Sequence, residues 1–499
     1  KSTIFFVSQK FLKKIIFSKR ILLMHSKNFA LKLEKKLNFK PTQSQLQWFE
    51  EISKFILSKD LNSVFVLKGY AGSGKTTLLG SLVNELNTIN YKAVMMAPTG
   101  RAAKVMSAYS NYPAYTIHKQ IYNTKSEETG SVVFDLKKNT HKNTIFIVDE
   151  ASMIGSEGTQ TKFSKNNSLL NDLVNYIKNG YNCKLIFVGD PAQLPPINLT
   201  LSPALDIDLL EEYYFNKVFT VELNFVVRQD QYSGILKNAT LIRNQLNKKK
   251  YNQFTFNLSG FADIENLSER SNIFEAVESA YDISGIDQTV FIVRSNRRAN
   301  LFNEQIRKSI LNLQNDISSG DRLMVIKNNY FWLSPASKPS FIANGDIIQI
   351  IKIKSKKEIY GFSFAVAQVF LVDYPEEPSF DTVLLLDTIQ IETASLSHED
   401  SNRLYKNIME DYIDEVSKFK RLIKVKKNKF FNALQVKYSY SITCHKSQGG
   451  QWENVFVEKP YLPNGSNKEY LRWLYTAVTR STKKLYLIGF TSEDFNFKS

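Results

Sequence analysis

The sequence has only two cysteines, Cys183 and Cys444, and no C-x-x-C pair. A disulfide framework and a paired-cysteine zinc site are therefore excluded, and a reducing, cytoplasmic compartment is expected. No stretch approaches the ~20 apolar residues of a membrane span, and charged residues interrupt every apolar run near the start that could form a signal-peptide core. The sequence also lacks solenoid repeats, low-complexity linkers and an acidic cluster that would indicate a nuclease domain.

Length and composition predict a globular protein of roughly two to four domains, with 43% hydrophobic and 23% charged residues. The formal net charge is +17, which favours a polyanionic partner. This charge is uneven, because residues 1–40 contain eleven Lys and Arg against the single Glu34. Since that segment supplies +10, the rest of the chain is only mildly basic, and bulk charge alone is weak support for nucleic-acid binding.

Residues 1–38 form a basic N-terminal extension with three interpretations. The segment is a nucleic-acid-binding arm, a surface-binding helix, or sequence that lies upstream of a native start at Met24. We favour the last, because a short helix predicted over residues 26–37 leads directly into the first motifs.

Residues 69–76, GYAGSGKT, match the phosphate-loop pattern G-x-x-x-x-G-K-[ST]. The apolar run 64–67 before the loop and the helical spacing after it predict a strand, a glycine turn and a helix start. This geometry directs backbone N–H groups and a helix N-terminus at an anion. Lys75 would reach the β- and γ-phosphates, and the Thr76 hydroxyl would bind Mg²⁺. The predicted nucleotide-binding residues of the loop are Gly69, Gly72, Ser73, Gly74, Lys75, Thr76 and Thr77. A chance match in a glycine-rich turn is the alternative for the motif alone.

Two adjacent carboxylates, Asp149 and Glu150, follow the apolar run 144–148, which predicts a buried parallel strand. Asp149 would hold the Mg²⁺ bound by Thr76, directly or through water. Glu150 would orient and deprotonate the attacking water. Taken alone, the pair could be only a solvated strand end, but the upstream phosphate loop favours the catalytic interpretation.

Two further residues follow predicted core strands. Gln193, in GDPAQLPP (189–196), has the geometry to sense the γ-phosphate. Arg228, in VVRQ (226–229), suits an arginine finger, with a surface cation as the alternative.

Gln45 and His118 are ambiguous from the residues alone. Thr42 and Gln45 fit an N-terminal capping box, yet the Gln45 amide could also pair with an adenine edge. His118, in TIH (116–118), would ordinarily be a satisfied structural histidine.

A third strand end carries small residues, a hydroxyl and cations. Pro98 and Thr99 follow the predicted strand 93–97, and Arg101 and Lys104 come soon after. This composition suits contact with a nucleic-acid backbone.

A second α/β unit is predicted from about residue 286, interrupted by antiparallel β structure at 331–435. Within that insertion, the basic run 418–429 is interpreted as a solvated face. A weakly alternating stretch at 120–143 predicts a small inserted hairpin in the first unit.

The ordered motifs resemble those of superfamily 1 DNA helicases of the RecD/Dda-like branch, from about residue 39 to 490. The motifs are Thr42–Gln45, GYAGSGKT (69–76), APTGRAAK (97–104), TIH (116–118), VDEASM (148–153), GDPAQLPP (189–196), VVRQ (226–229), TCHKSQG (443–449) and LYTAVTR (474–480). One such motif is weak evidence, whereas this many in the correct order are highly specific.

The resemblance implies an α/β fold of two RecA-like P-loop lobes. It implies a first lobe over 39–285 with a pin-like strand-separating insertion at about 120–143, and a second lobe over 286–330 and 436–499. The insertion at 331–435 would be an SH3-like barrel in the second lobe.

The resemblance also implies roles for named residues. ATP would lie between the lobes, with Gln45 on adenine and Arg480, from the second lobe, on the γ-phosphate. Gly449 and Gln451 would lie near the ribose, where the family often has glutamate in place of Gln451, which puts nucleotide selectivity in question. The residues implied for catalysis are Lys75, Glu150, Gln193, Arg228 and Arg480. The residues implied to face DNA are Pro98, Thr99, Arg101, Thr116, His118, Thr443 and His445.

The implied function is an ATP- and Mg²⁺-dependent DNA helicase for repair, recombination or replication, with 5′→3′ polarity taken from the resemblance alone. Its partners would be single-stranded and forked DNA and other repair or replication proteins, and a monomer is expected. The alternatives are a single-strand translocase, a RecD-like subunit of an exonuclease complex, and a non-catalytic nucleic-acid-binding protein.

Overall fold

A computed structural model describes residues 24–126, 132–155, 168–224, 233–334 and 341–496, together with residues 337 and 339. Residues 1–23 and the VVRQ motif with Arg228 lie outside the described residues. Among the described residues, no helix has the length and apolar character to cross a membrane.

The strands are β1 (Ser63–Gly69), β2 (Lys92–Ala97), β3 (Ala114–Thr116), β4 (Tyr122–Ser126), β5 (Val132–Leu136), β6 (Lys142–Val148), β7 (Tyr181–Gly189), β8 (Lys217–Leu223), β9 (Ile264–Leu267), β10 (Thr289–Val293), β11 (Arg322–Val325), β12 (Ile347–Ile359), β13 (Phe362–Leu371), β14 (Phe380–Leu385), β15 (Leu434–Tyr438), β16 (Ser441–Thr443), β17 (Trp452–Glu458) and β18 (Ser481–Ile488).

The helices are α1 (24–34), α2 (Gln43–Leu57), α3 (Lys75–Leu86), α4 (Gly100–Ser110), α5 (Ile117–Ile121), α6 (Leu169–Lys178), α7 (Ile207–Tyr213), α8 (Gly234–Asn247), α9 (Arg270–Ser284), α10 (Asn296–Gln305), α11 (His398–Glu410), α12 (Lys418–Lys427), α13 (Cys444–Ser447) and α14 (Lys468–Val478).

The first lobe is built on a six-stranded sheet in the order β3-β2-β6-β7-β1-β8. Every pair in it is parallel. Residues 64–67 of β1 are fully buried, as a central parallel strand must be when helices cover both faces. Phe29 and Leu33 of α1 are buried in the same core as Trp48 of α2. The end of the predicted N-terminal extension therefore packs as part of this lobe.

The second lobe is built on a five-stranded sheet in the order β16-β10-β17-β18-β9, again parallel throughout. Its edge strand β9 differs from expectation, because residues 264–267 lie before the predicted lobe boundary at 285 yet pair with β18. Helix α8 also packs on α14 of this lobe. The first lobe therefore ends earlier in the chain than residue 285.

The predicted antiparallel insertion contains a closed five-stranded barrel, β11-β12-β13-β14-β15. Its neighbours are antiparallel except for β14 and β15, which are parallel. The barrel begins at Arg322 and ends at Tyr438, slightly outside the predicted limits of 331 and 435. Helices α11 and α12 lie in the chain between β14 and β15.

In the first lobe, β4 and β5 pair antiparallel as a separate two-stranded sheet, with Tyr122 opposite Leu136. This pair lies within the segment for which the sequence predicts an insertion. Its action as a strand-separating pin stays a prediction.

The two lobes share part of their hydrophobic core. Tyr70, Ala192 and Leu194 of the first lobe are buried in the same cluster as Trp473 and Val478 of the second. The phosphate loop and the GDPAQLPP turn are therefore packed directly against α14.

Candidate nucleotide site and nucleic-acid channel

The motifs of the first lobe come together because its strands are parallel. Parallel strands present their carboxyl ends at one edge of a sheet, where α/β proteins bind ligands. Along that edge, the phosphate loop follows β1, GDPAQLPP follows β7, and Asp149 follows β6. Pro98 follows β2, and Thr116 ends β3. The edge thus runs from predicted nucleotide contacts at β1 to predicted DNA contacts at β3.

The phosphate loop has the predicted strand, turn and helix geometry. Gly72 and Gly74 have φ values of 74° and 85°, a left-handed conformation that favours glycine. The Lys75 ammonium group donates to the carbonyl oxygens of Gly69 at 2.6 Å and Tyr70 at 3.0 Å. It therefore lies over the loop, where phosphate oxygens would replace these two carbonyls. Thr76 and Thr77 are exposed in the first turn of α3.

Gln45 links the start of α2 to the phosphate loop. The predicted capping box is confirmed, because Thr42 N–H donates to Gln45 Oε1 at 3.0 Å and Gln45 N–H donates to the Thr42 hydroxyl. The other end of the Gln45 amide, Nε2, donates to Ser73 O at 3.3 Å. Gln45 is fully buried, and its adenine contact stays a prediction.

Asp149 and Glu150 follow β6 at the centre of the edge. Asp149 Oδ1 accepts from Glu150 N–H at 2.8 Å, and Asp149 Oδ2 accepts from the Tyr109 hydroxyl. Glu150 has φ 52°, uncommon for a residue with a side chain. Burial raises the pKa of Glu150, and the positive charges of Arg480 and Lys75 oppose that rise.

Gln193 lies on the same edge, in the turn after β7, which is the strand next to β6. Its side chain is 6% exposed, and among the described residues its Oε1 has no hydrogen-bond partner. Asp190 holds the turn, because Oδ1 accepts from Ala192 N–H at 2.9 Å and its carbonyl accepts from Gln193 N–H at 3.3 Å.

The second lobe contributes Arg480, which follows α14 and is 3% exposed. Its guanidinium donates to Thr476 O at 3.1 Å, to Gly450 O at 3.2 Å and to the Thr479 hydroxyl at 3.3 Å. These bonds fix the side chain within its own lobe while its charge acts on Glu150 across the cleft. Arg480 therefore lies just after the helix that packs against the phosphate loop, and its contact with the γ-phosphate stays a prediction.

A second residue of α14, Tyr475, joins the two lobes by hydrogen bonds. Its hydroxyl donates to Asp190 Oδ2 at 2.6 Å and accepts from Ala71 N–H of the phosphate loop at 2.9 Å. The neighbouring Thr476 hydroxyl accepts from Leu194 N–H at 2.9 Å. Burial raises the pKa of Tyr475 far above its usual range, and the Asp190 charge adds to this effect. The hydroxyl is therefore protonated and donates.

The predicted DNA contacts line one cavity of about 490 Å³. It contains six of the seven named residues: Pro98, Thr99, Arg101, Thr116, His118 and His445. Burial lowers the pKa of both His118 and His445, so each ring is neutral near pH 7. The seventh residue, Thr443, lies at the N-terminus of α13, next to the cavity-lining Ile442.

The barrel forms one wall of this cavity, which we call the channel. Asn328, Phe341 and Asn344 line it from the loop between β11 and β12. Asn344 also accepts from the Lys446 ammonium group of the second lobe. Both lobes and the barrel therefore surround the channel.

Gly449 and Gln451 lie where the second lobe approaches α4 of the first lobe. A Cβ at Gly449 would lie 2.7 Å from the Ala102 Cβ, so the glycine allows the second lobe to approach α4 closely. Gln451 lines a second cavity, of about 280 Å³, together with Arg101 and Asp373. Their contact with the nucleotide stays a prediction.

Arg101 packs against the second lobe, and its contact with nucleic acid stays a prediction. Its guanidinium carbon lies 3.9 Å from the centroid of the Trp452 ring, a cation–π contact between the lobes. Burial lowers the pKa of Arg101.

No local sequence pattern predicts a role for Tyr109, Asp190 or Tyr475. Asp190 and Tyr475 lie inside motifs, so motif membership was an available signal. Tyr109 lies on α4, forty residues from Asp149, and no local pattern indicates that contact.

Two family profiles match the chain. One, described as an AAA domain, matches residues 50–255, and the other, described as the UvrD-like helicase C-terminal domain, matches residues 438–488. Together they cover parts of both lobes.

Curated relatives match most of the chain at low identity. An uncharacterised protein of Acanthamoeba polyphaga mimivirus is 24% identical, covering 86% of this chain and 96% of the relative. The ATP-dependent DNA helicase dda of Enterobacteria phage T4 is 24% identical, covering 90% and 99%. The RecBCD enzyme subunit RecD of Buchnera aphidicola subsp. Schizaphis graminum is 24% identical, covering 87% and 71%.

Among solved structures, Pif1 helicase from Bacteroides in complex with ADP-AlF3 and ssDNA is 13% identical with a TM-score of 0.44, covering 93% of this chain and 95% of that one. Pif1 helicase from Candida albicans is 15% identical with a TM-score of 0.36, covering 91% and 96%. The two family profiles and the Dda and RecD relatives agree with the ordered motifs, so this chain is similar to superfamily 1 helicases of the RecD and Dda branch.

Proposed function

We propose that this chain is an ATP-dependent DNA helicase that moves 5′→3′ along single-stranded DNA and separates duplex DNA. One observation carries the proposal: helix α14 of the second lobe, which precedes Arg480, is hydrogen-bonded to the phosphate loop and to Asp190 of the first lobe, and the same lobes enclose the channel of predicted DNA contacts. A change in the distance between the lobes would therefore alter both sites together.

Charged side chains of the nucleotide site bind the phosphates and stabilise the transition state of hydrolysis. Lys75 exchanges its two loop carbonyls for β- and γ-phosphate oxygens, and Arg480 stabilises the charge that develops on the transferred phosphoryl group. Glu150 accepts the proton of the attacking water. Gln193, whose Oε1 is buried without a partner among the described residues, contacts the γ-phosphate or that water. Arg228 supplies a second arginine.

The donor set also fits Mg²⁺. Thr76 presents an exposed hydroxyl, and each Asp149 oxygen keeps lone-pair capacity beyond the one bond it accepts. Among the described residues, no group of three or more His, Cys, Asp or Glu could hold a metal ion. The remaining ligands would therefore be phosphate oxygens and water, as Mg²⁺ prefers. When bound, the ion neutralises charge on the β- and γ-phosphates.

The channel holds a single strand between the lobes and the barrel. Neutral His118 and His445, the Thr99 and Thr116 hydroxyls and apolar Phe341 line its wall, a composition suited to stacking and to phosphate contacts without base selection. The β4–β5 pair acts as the strand-separating pin, and the barrel is the SH3-like domain of the second lobe.

ATP hydrolysis is coupled to movement of the strand because the same two lobes form both the nucleotide site and the channel. Arg480 and Lys75 contact the triphosphate from opposite lobes, so ATP favours the closed arrangement and hydrolysis releases it. Repeated closure, with a different grip on the strand by each lobe, moves the strand through the channel.

Unwinding of fork substrates tests the proposal. Duplexes with a 5′ tail, with a 3′ tail and with blunt ends are compared in the presence of ATP and Mg²⁺. We expect strand separation only with the 5′ tail, and none by the Glu150→Gln variant, which keeps the shape of the side chain but cannot act as base. Separation with the 3′ tail alone would overturn the polarity, and unchanged ATP turnover in the variant would overturn the site.

Two further measurements separate the alternatives. A translocase that unwinds poorly would displace streptavidin from a biotinylated strand yet leave the duplex intact. A subunit of an exonuclease complex would show feeble activity alone and copurify with partners.

A further inference from the structure

The positive charge of the chain is concentrated in two places. Residues 1–40 carry ten of the seventeen net charges, and residues 418–429 contain seven Lys and Arg with no Asp or Glu. The second stretch thus accounts for the other seven, and the remainder of the chain sums to zero. Solvated helix faces usually intersperse both signs, so a single-sign cluster in a neutral body indicates a binding surface for a polyanion.

Helix α12 presents these cations on an exposed face. Lys420, Lys424 and Lys427 are all exposed, and their spacing of four and three residues places them in one row along the helix. Lys424 pairs with Glu415 at 3.0 Å, but exposed pairs of this kind are weak and exchange readily. On the opposite face, Val425 is buried.

The helix is fixed to the barrel. Val425 belongs to a hydrophobic cluster with Phe362 and Phe364 of β13 and with Phe430. Arg421 donates to the carbonyl oxygens of Ile413 and Glu415, at 2.8 and 2.9 Å, which holds the start of the helix. The row of lysines is therefore a rigid feature of the surface.

The end of α12 is tied to the wall of the channel through Asn432, whose Nδ2 donates to Lys426 O at 2.7 Å. Asn432 O accepts from Asn329 Nδ2 at 2.8 Å and from Trp332 Nε1 at 2.8 Å. Asn328, the residue before Asn329, lines the channel. The C-terminal end of α12 is thus connected through Asn432 to the barrel loop that lines the channel.

We propose that the lysine row of α12 (Lys420, Lys424 and Lys427) binds the phosphate backbone of duplex DNA beside the channel. This inference rests on the proposed function. The channel already encloses a single strand, whereas α12 is an open, rigid surface. A duplex is rigid and carries one charge per ~1.7 Å, against one per ~3.4 Å for each strand. The contact is independent of sequence, because ammonium groups read charge and not base edges.

Equilibrium binding without nucleotide tests the proposal, with full-length protein and fluorescent blunt duplex or single-stranded DNA. The variant Lys420→Gln/Lys424→Gln/Lys427→Gln keeps helix propensity, since Gln and Lys are similar. We expect its affinity for duplex to fall at least about tenfold, and its slope of log affinity against log salt to fall by about 2–3. Its affinity for single-stranded DNA should not change.

The matched control is Lys237→Gln/Lys248→Gln/Lys250→Gln, which removes three exposed lysines at α8. The proposal is overturned if duplex affinity and slope fall no further than in this control, or if the unmodified protein does not bind blunt duplex. An equal loss of affinity for single-stranded DNA would show that α12 binds the single strand as well, and this result would also overturn the proposal. Failure of the proposed function would appear separately, as ATP turnover indifferent to DNA while duplex binding still depends on α12.

Discussion

On the nucleotide side of the first lobe, contacts with the second lobe are short and buried, whereas on the channel side the lobe meets the barrel through a partly exposed ion pair. Tyr475 and Asp190 are each 1% exposed. By contrast, Lys104 pairs with Asp373 at 3.3 Å with half of the lysine side chain exposed, beside a cavity of about 280 Å³. The first lobe is therefore joined more firmly on the nucleotide side, which fits the proposed transmission of force there and the proposed opening of the channel side.

The largest expected effect is a loss of ATP turnover on changing Arg480, the residue that the second lobe contributes to the nucleotide side. Arg480→Lys keeps the positive charge but loses the planar fork of the guanidinium. We expect ATP turnover to fall about 10³-fold, with nucleotide affinity nearly unchanged, because an arginine finger acts in the transition state. Steady-state turnover and binding of a fluorescent nucleotide measure the two quantities. Arg298→Lys, at an exposed pair with Glu458, is the control and should not lower turnover.

On the channel side, a buried carboxylate makes stability depend on pH. Burial, with the Asp373 charge, raises the pKa of Asp346 to about 7, whereas an unfolded aspartate has a pKa of about 3.9. Between these values only the folded state holds the proton, so the free energy of unfolding falls as pH rises from about 4 to about 7 and then levels off.

The Asp346→Asn variant should lose this slope, and the loss is at most about 4 kcal/mol. Thermal unfolding midpoints at a series of pH values measure it. Asp381→Asn, at an exposed pair with Lys354, is the control and should keep the slope of the unmodified protein. A slope that persists in Asp346→Asn would place the titrating group elsewhere.

Removing the Tyr475 hydroxyl is expected to have a smaller effect on the nucleotide side. Tyr475→Phe leaves Asp190 Oδ2 and Ala71 N–H without their shared partner, and an unsatisfied buried group costs about 1–3 kcal/mol. We expect DNA-stimulated ATP turnover to fall about tenfold, since about 1.4 kcal/mol corresponds to a factor of ten. Strand separation per ATP should fall as well.

The control for this variant lies on the same helix. Tyr470 stacks on Trp473, with ring centroids 6.2 Å apart, and Tyr470→Phe changes a buried tyrosine in the same way. Equal effects of the two substitutions would show that the loss is general to α14 and would remove the special role of Tyr475.

The smallest effect is expected at the partly exposed Lys104–Asp373 pair. A double-mutant cycle of Lys104→Gln and Asp373→Asn should give a coupling free energy below about 1 kcal/mol, because half of the Lys104 side chain is exposed and water screens its charge. Chemical denaturation of the four proteins measures it. A coupling free energy of several kcal/mol would show that the channel side is joined as firmly as the nucleotide side, and would remove the contrast between them.

The sequence predicted the parts of the site that depend on local pattern. The phosphate loop, the strand before Asp149 and the Thr42–Gln45 capping box each follow from residues close in the chain. The contacts of Tyr475 with Ala71 and of Tyr109 with Asp149 join residues far apart, so no periodicity indicates them.

The lobe boundaries were harder to predict for a related reason. The four-residue strand β9 alternates too briefly to be distinguished from a loop, and its place in the second sheet is set by pairing with β18, more than two hundred residues later. Phe29 and Leu33 of α1 lie in a basic segment, and only tertiary packing shows that they belong to the core.

ATP turnover with and without single-stranded DNA tests the central claim, that one pair of lobes serves both the nucleotide site and the channel. The account predicts slow turnover alone, strong stimulation by the oligonucleotide, and loss of both in Glu150→Gln. Turnover that is indifferent to DNA would contradict it.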